Sequence, residues 1–373
     1  MDDSAVVPPP HLGRPLRLLP FRGLALPPRR VGDPAAVGAL ARPYRDAPAR
    51  LALWERTGRV WRDQEPAVYV HEYVVEGMVV RGLVGALDLR HRSADLADRA
   101  VLPHEGVHPG QVDQLAKRMR RMALNPAPIL LVHRGPAAVR DLMDRASESE
   151  PVRTFTDRAD HQHRVWALRR PEQLDALGQA LSGATPVIAD GHHRYAATLR
   201  LQHERPGTAW DHGLAMLVDQ DDTPLFLGAI HRIVRGVHLE DFAHVESGTG
   251  TFRRYATDAA LQALSEDTLV LTDGKAWATL TLKVPADDTA VDVLHGRVLP
   301  ELGVDPGAVT YHHRVADALQ HVRPRRDVAV LMPAADFDAV HRIVAQDRLM
   351  PEKATSFQPK PALGVLMRSL RDG

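Results

Sequence analysis

Residues 185–200, TPVIADGHHRYAATLR, constrain the fold more than any other stretch, because a short apolar run meets a helical pattern through consecutive polar or flexible residues. Residues 186–189 suit a buried strand, and residues 195–202 space Tyr195, Ala196 and Leu199 at helical intervals. Between them, Gly191 lets the backbone turn sharply or approach a ligand closely. The helix that follows opens with unpaired N–H groups and the positive end of its dipole, an arrangement that favours an anion. Clusters of His and Arg stand on many solvated helix starts, and Asp-Gly is above all a turn signal. Asp190, Gly191, His192, His193 and Arg194 in unbroken succession at a strand-to-helix turn point further. A guanidinium matches phosphate or carboxylate in bidentate fashion, an imidazole donates to the same oxygens or moves a proton, and Asp190 orients an imidazole or holds a metal ion. Phosphate is the expected ligand.

The strand, the Gly-His-x-Arg turn and the small-residue helix resemble the phosphate-binding motif of the ParB/sulfiredoxin superfamily. That group includes nucleotide-hydrolysing partition proteins, sulfiredoxin and free-serine kinases. Within it, IADGHHRYAATL is most similar to the signature of the bacterial family known as domain of unknown function 1015. Other segments agree in order: Pro20-Phe21-Arg22-Gly23, Arg42-Pro43-Tyr44, Leu102-Pro103-His104-Glu105, Trp166, Ile230-His231-Arg232, and MPEKATSFQPK at residues 350–360. The resemblance spans nearly the whole chain and implies an α/β (α+β) fold, with a mixed sheet, a ParB/sulfiredoxin-like nucleotide-binding core and additional family-specific elements. Members of the family usually carry an acid directly after the Pro-Tyr pair. Here Arg45 stands in that place and Asp46 follows.

The 373 residues, 44% of them hydrophobic, supply enough apolar surface for a large core or two lobes. No run approaches the roughly 18 apolar residues of a membrane span, and MDDSAVVPPP lacks the charged-then-apolar order of a signal peptide, so the expected location is the cytoplasm. The absence of cysteine excludes disulfides, thiolate catalysis and cysteine-ligated metal sites. Acids and bases balance at 47 each, which leaves no global basic field for nucleic acid. Lysine occurs only at 117, 275, 283, 353 and 360 in a chain that otherwise writes arginine, so Lys353 and Lys360, both within residues 350–360, stand out as point-charge partners for phosphate.

Four segments are expected along the chain: a flexible tail at 1–17, the core at 18–237, a second lobe or insertion at 238–300, and a helix/strand segment at 301–373 whose loop closes on the core. Residues 67–89 show β-branched and aromatic enrichment around Glu76-Gly77, the pattern of a long hairpin, with His71 and Glu72 on opposite faces. Residues 129–133, 164–168, 214–218, 225–234, 277–284 and 328–332 suit strands. Residues 112–124, 136–147, 171–181, 315–322 and 335–345 suit helices. A carboxylate beside an imidazole just before a helix, His104-Glu105, suits a general base or a metal ligand. His231 and Arg232, adjacent on a strand, face opposite ways.

Together these features lead to a nucleotide-dependent phosphotransferase acting on a small hydroxyl-bearing metabolite, with serine or a related amino acid implied by the free-serine kinases. Gly191, His192, His193, Arg194, His231, Arg232, Lys353 and Lys360 are the expected nucleotide-binding residues. Glu105, Asp190, His192 and His193 are the expected catalytic residues, with Glu105 taking the hydroxyl proton. Asp190 and Glu105 are the expected ligands of Mg²⁺, and ATP or ADP the expected donor, with CTP an alternative. Two other readings remain open: a nucleotide-hydrolysing switch of the ParB type, and a non-catalytic scaffold that keeps the anion site.

Overall fold

The computed structural model describes residues 6–33, 47–245 and 248–371. Arg42, Pro43, Tyr44, Arg45 and Asp46 lie outside them. The chain divides into two compact units, one formed by Met1–Leu225 with Pro359–Gly373 and the other by Phe226–Gln358.

The strands of the first unit are β1 (Leu18–Leu19), β2 (Gly23–Ala25), β3 (Trp61–Arg62), β4 (Val68–Val75), β5 (Met78–Asp88), β6 (Leu124–Asn125), β7 (Ile129–His133), β8 (Arg153–Thr156), β9 (Gln162–Leu168), β10 (Val187–Asp190) and β11 (His212–Asp219). The main sheet runs in the order β10-β7-β11-β5-β4-β9-β8, with β1 also paired to β5. It is a mixed sheet in a mixed α/β fold: β7 and β11 are parallel, and the other neighbours antiparallel. The expected hairpin is its centre. Val75 lies opposite Met78, so Glu76 and Gly77 alone make the turn, with φ of 51° and 81°. Two successive left-handed residues give a turn whose twist matches that of the strands it joins.

Alternation along the strands places Val68, Val70, Leu83, Leu87, Ile129, Leu131, Trp166 and Leu217 in one continuous core. Side chains of the helices Ala137–Ser147, Pro171–Leu181 and His192–Glu204 complete that core. The alternate residues of the central strands include Tyr69, His71, Tyr73 and His163, all buried. A smaller sheet orders β3, β2, the strand Met367–Ser369 and β6, so the far end of the chain supplies an interior strand to the first unit.

The N-terminal segment corrects the expectation of a loose tail, at least from residue 6 onward. Val7 pairs with Val107, Leu12 and Leu16 are fully buried in the core, and the Leu12 N–H donates to the Tyr195 hydroxyl at 3.0 Å. Its many prolines hide these two leucines from a reading based on periodicity, yet they fill the core beside the motif helix. Tyr195→Phe is therefore expected to lower stability by about 1–3 kcal/mol, since it leaves a buried N–H unpaired. Urea denaturation would measure the loss, and an unchanged midpoint would show the bond to be dispensable.

The second unit contains β12 (Phe226–Gly228), β13 (His231–Arg235), β14 (Gly250–Tyr255), β15 (Thr268–Thr272), β16 (Trp277–Leu282), β17 (Val309–His312), β18 (Asp327–Leu331) and β19 (Ser356–Gln358). Six of these form an antiparallel sheet in the order β14-β16-β15-β18-β13-β17, and β12 pairs with β19. The single strand expected over 225–234 is thus two strands in different sheets, a break that a nearly continuous apolar run gives no period to reveal. The unit also encloses more chain than the 238–300 segment marked by the change of pattern, because β13, before that segment, pairs with β17 and β18 beyond it, and β18 pairs in turn with β15 inside it.

Candidate functional site

The site is built where β10 ends. β10 lies at the margin of the main sheet, paired on one side with β7 through an irregularity between Ile188 and Asp190. On its other side runs the Leu102-Pro103-His104-Glu105 segment, since the Leu102 N–H donates to Pro186 O at 2.9 Å and the Ile188 N–H to Leu102 O at 3.0 Å. Gly191 then turns with φ 96° and ψ 32° and begins the helix His192–Glu204 without any side-chain cap. Two requirements select glycine there: the left-handed backbone, and the Arg194 guanidinium, whose Nη2 would lie 2.8 Å from a Cβ at this position.

Arg194 folds back over Gly191 and its Nη2 donates to Asp190 Oδ2 at 2.8 Å. Lys360 Nζ meets the other carboxylate oxygen, Oδ1, at 2.5 Å. Burial alone would raise the Asp190 pKa, but the charges of Arg194 and Lys360 outweigh it and hold the carboxyl below its usual range. The Nε–H of Arg194 is buried without a hydrogen-bond partner among the described residues. Two cations and the positive end of a 13-residue helix therefore surround one carboxylate.

The two imidazoles sit differently from the expectation that both donate to a phosphoryl group. His192 Nε2 accepts from the backbone N–H groups of His104 and Glu105, each at 3.3 Å, and His193 Nε2 accepts from the N–H of His108 at 3.1 Å. As acceptors at Nε2, both rings carry their proton on Nδ1. The pair pins residues 104–108 to the start of the motif helix, and His104 packs edge-on to His192 with ring centres 4.6 Å apart. These backbone amides were invisible to the sequence reading, which ranks residues by side-chain chemistry. Glu105, half-buried, is thereby delivered to the turn, with Oε1 3.9 Å from His104 Nε2.

His104 is buried, and burial pushes its imidazole down to about 4, against the smaller opposing effects of a bond to the Ile188 backbone and the charge of Asp190. The unfolded chain takes up that proton near pH 6.5, and the folded chain does so only near 4. This contribution to stability is thus complete above about pH 6.5 and falls by roughly 3 kcal/mol as the pH drops to about 4. His231 and His295, also pushed down to about 4 mainly by burial, act in the same direction. Denaturant midpoints measured from pH 7 to 4 should fall, and His104→Asn should flatten part of the slope.

Asp190 and Glu105 do not make a convincing cradle for Mg²⁺. Both oxygens of Asp190 face cations, and among the described residues no third acid or imidazole joins them as a ligand set.

Gly191, His192, His193, Arg194, Asp190, Glu105 and Lys360 thus belong to the first unit and meet or adjoin at one turn. His231, Arg232 and Lys353 belong to the second. There Arg232 is fully buried, donating to Lys353 O at 3.0 Å, to His295 Nε2 at 3.1 Å and to Ile230 O. A guanidinium so occupied presents no face to a ligand. His231 Nδ1 accepts from the Met332 N–H at 3.1 Å.

The family described as "Protein of unknown function (DUF1015)" matches residues 20–304. The chain belongs to that family. As a member of DUF1015 it has no match among curated proteins. Among solved structures it is similar to a variant of free serine kinase in complex with ADP, at 14% identity over 72% of this chain and 89% of that one, with a TM-score of 0.40. It is also similar to SbnI with C-terminal truncation from Staphylococcus aureus (11% identity, 76% and 87% covered, TM-score 0.40). A conserved hypothetical protein from Pyrococcus furiosus gives 14% identity, 73% and 93% covered, and a TM-score of 0.38. Among the described residues, no helix is long and apolar enough to cross a membrane.

Proposed function

We propose that the turn at residues 190–194 binds the phosphates of a nucleotide, and that this DUF1015 protein transfers a phosphoryl group from ATP or ADP to a small hydroxyl-bearing metabolite. The observation that carries the reading is the convergence of Arg194 and Lys360 on Asp190 at an uncapped helix N-terminus. That cluster holds more positive charge than one carboxylate balances, and the Arg194 Nε–H has no hydrogen-bond partner among the described residues. The resemblance of the turn to the phosphate-binding motif of the ParB/sulfiredoxin group supports the same ligand.

In the proposed reaction the acceptor oxygen attacks the terminal phosphorus, the bond from that phosphorus to the nucleotide's bridging oxygen breaks, and Glu105 takes the hydroxyl proton. Arg194, Lys360 and the amides opening the helix stabilise the equatorial oxygens, as this reaction chiefly requires charge stabilisation and alignment. His192 and His193 hold the 104–108 loop so that Glu105 keeps its place. Serine is the first acceptor to test, following the resemblance to free-serine kinases.

Phosphorus NMR of the purified protein with ATP, ADP or CTP, each against serine, other amino acids and polyols, tests the proposal. A new phosphomonoester signal that requires an acceptor supports the transferase. Acceptor-independent nucleotide hydrolysis would replace it with a switch, and no turnover with any donor would leave an anion-binding scaffold.

A further inference from the structure

A second charged site lies in the first unit, within a cavity of about 530 Å³ walled by Leu26, Pro27, Pro28, Val60, Trp61 and Arg153. A volume of this order suits a small organic molecule. Arg153, at the start of β8, extends between two aromatic rings: its guanidinium carbon lies 5.0 Å from the centre of Trp61 and 4.7 Å from that of Phe155. Its hydrogen bonding is poor. Nη2 reaches Leu26 O at 3.4 Å, and Nη1 is buried with no partner among the described residues.

The neighbouring groups do not neutralise it. Glu55, the one acid among the described residues that line the cavity, is paired with Arg62 at 3.1 Å. Asp157 Oδ2 faces His161 and His163, each at 3.3 Å, while its Oδ1 accepts two backbone N–H bonds. His163 passes the contact on to His71, Nδ1 to Nε2 at 3.1 Å. Burial first, and the Arg153 charge among the lesser causes, hold both imidazoles below their usual range. Burial likewise lowers Arg153 itself, to about 10. Arg153 is thus a largely desolvated cation lining the cavity, with only a long bond from Nη2 and no acid partner among the described residues, and such a charge attracts an anion.

We propose that this cavity binds a small organic carboxylate, whose oxygens are taken by the Arg153 guanidinium and whose carbon skeleton lies against Leu26, Pro27 and Val60. The half-apolar lining favours an organic anion over an inorganic one. With Arg62 paired to Glu55, the Arg153 guanidinium also matches one negative charge, whereas the 190–194 turn, with two cations and a helix end, suits phosphate. The inference is independent of the nucleotide reading.

Calorimetric titration and thermal shift of the full chain without nucleotide, using acetate, benzoate, L-serine and inorganic phosphate as probes, test it. At least one of the three carboxylates is expected to bind the wild type and raise its Tm. In Arg153→Met that affinity should fall by roughly tenfold or more, while the Tm of the unliganded variant stays level or rises, because an unpaired buried charge has been removed. Arg194→Ala should retain carboxylate binding, which separates this site from the phosphate turn. The proposal is overturned if no carboxylate binds the wild type, if binding is unchanged in Arg153→Met, or if phosphate is the sole Arg153-dependent ligand. It also fails if Arg153→Met melts far below the wild type, which would make Arg153 a structural cation.

Discussion

Glu105→Gln is expected to bind nucleotide as the wild type does while transferring its phosphoryl group roughly 10²–10⁴-fold more slowly. The substitution keeps the size of the side chain and much of its hydrogen bonding, but removes the base. The backbone contact that positions residue 105, its N–H to His192 Nε2 at 3.3 Å, is untouched by the change. A purely structural Glu105 would behave otherwise, with thermal stability, affinity and turnover declining together. Parallel measurement of nucleotide Kd, melting temperature and single-turnover rate separates these outcomes, and a full rate in Glu105→Gln would exclude it as the base.

Arg194→Ala carries the second large effect, on binding rather than chemistry. Losing a charge-assisted contact at the helix start should weaken nucleotide binding by about 2–5 kcal/mol. The fold should survive, since the Arg194 side chain lies over Gly191 and Asp190 rather than in the core, and Lys360 still balances Asp190. Arg194→Lys should recover part of the loss, because an ammonium keeps the charge without the planar fork. Calorimetric titration with ADP decides the matter: unchanged affinity in a folded Arg194→Ala would remove phosphate binding from this turn.

Removal of residues 350–373 would be a poor probe of the same site. Lys360 is part of it, but Met367–Ser369 is an interior strand between β2 and β6, and Met367 is fully buried. Such a deletion would unfold the first unit, so single substitution at Lys360 is the informative change.

What the sequence determined by itself is local. The strand, the glycine turn and the helix of residues 187–204 follow from the apolar period, from Gly191 and from the polar cluster between them. The β4–β5 hairpin follows from β-branched runs around Glu76-Gly77, because a two-residue turn with two left-handed residues needs no distant partner. The cluster of Asp190, His192, His193 and Arg194 was legible for the same reason. The tertiary structure decided which atoms those residues use. The imidazoles bond to amides 85 or more residues away, Lys360 closes on Asp190 from the far end of the chain, and Arg232 is buried in a different unit from Arg194. Leu12 and Leu16 became core, and Arg153 came to lie against Trp61, through packing against residues remote in sequence. Such contacts are set by complementary burial across the whole unit, and a local pattern records that a residue is apolar or charged but not which surface it will meet.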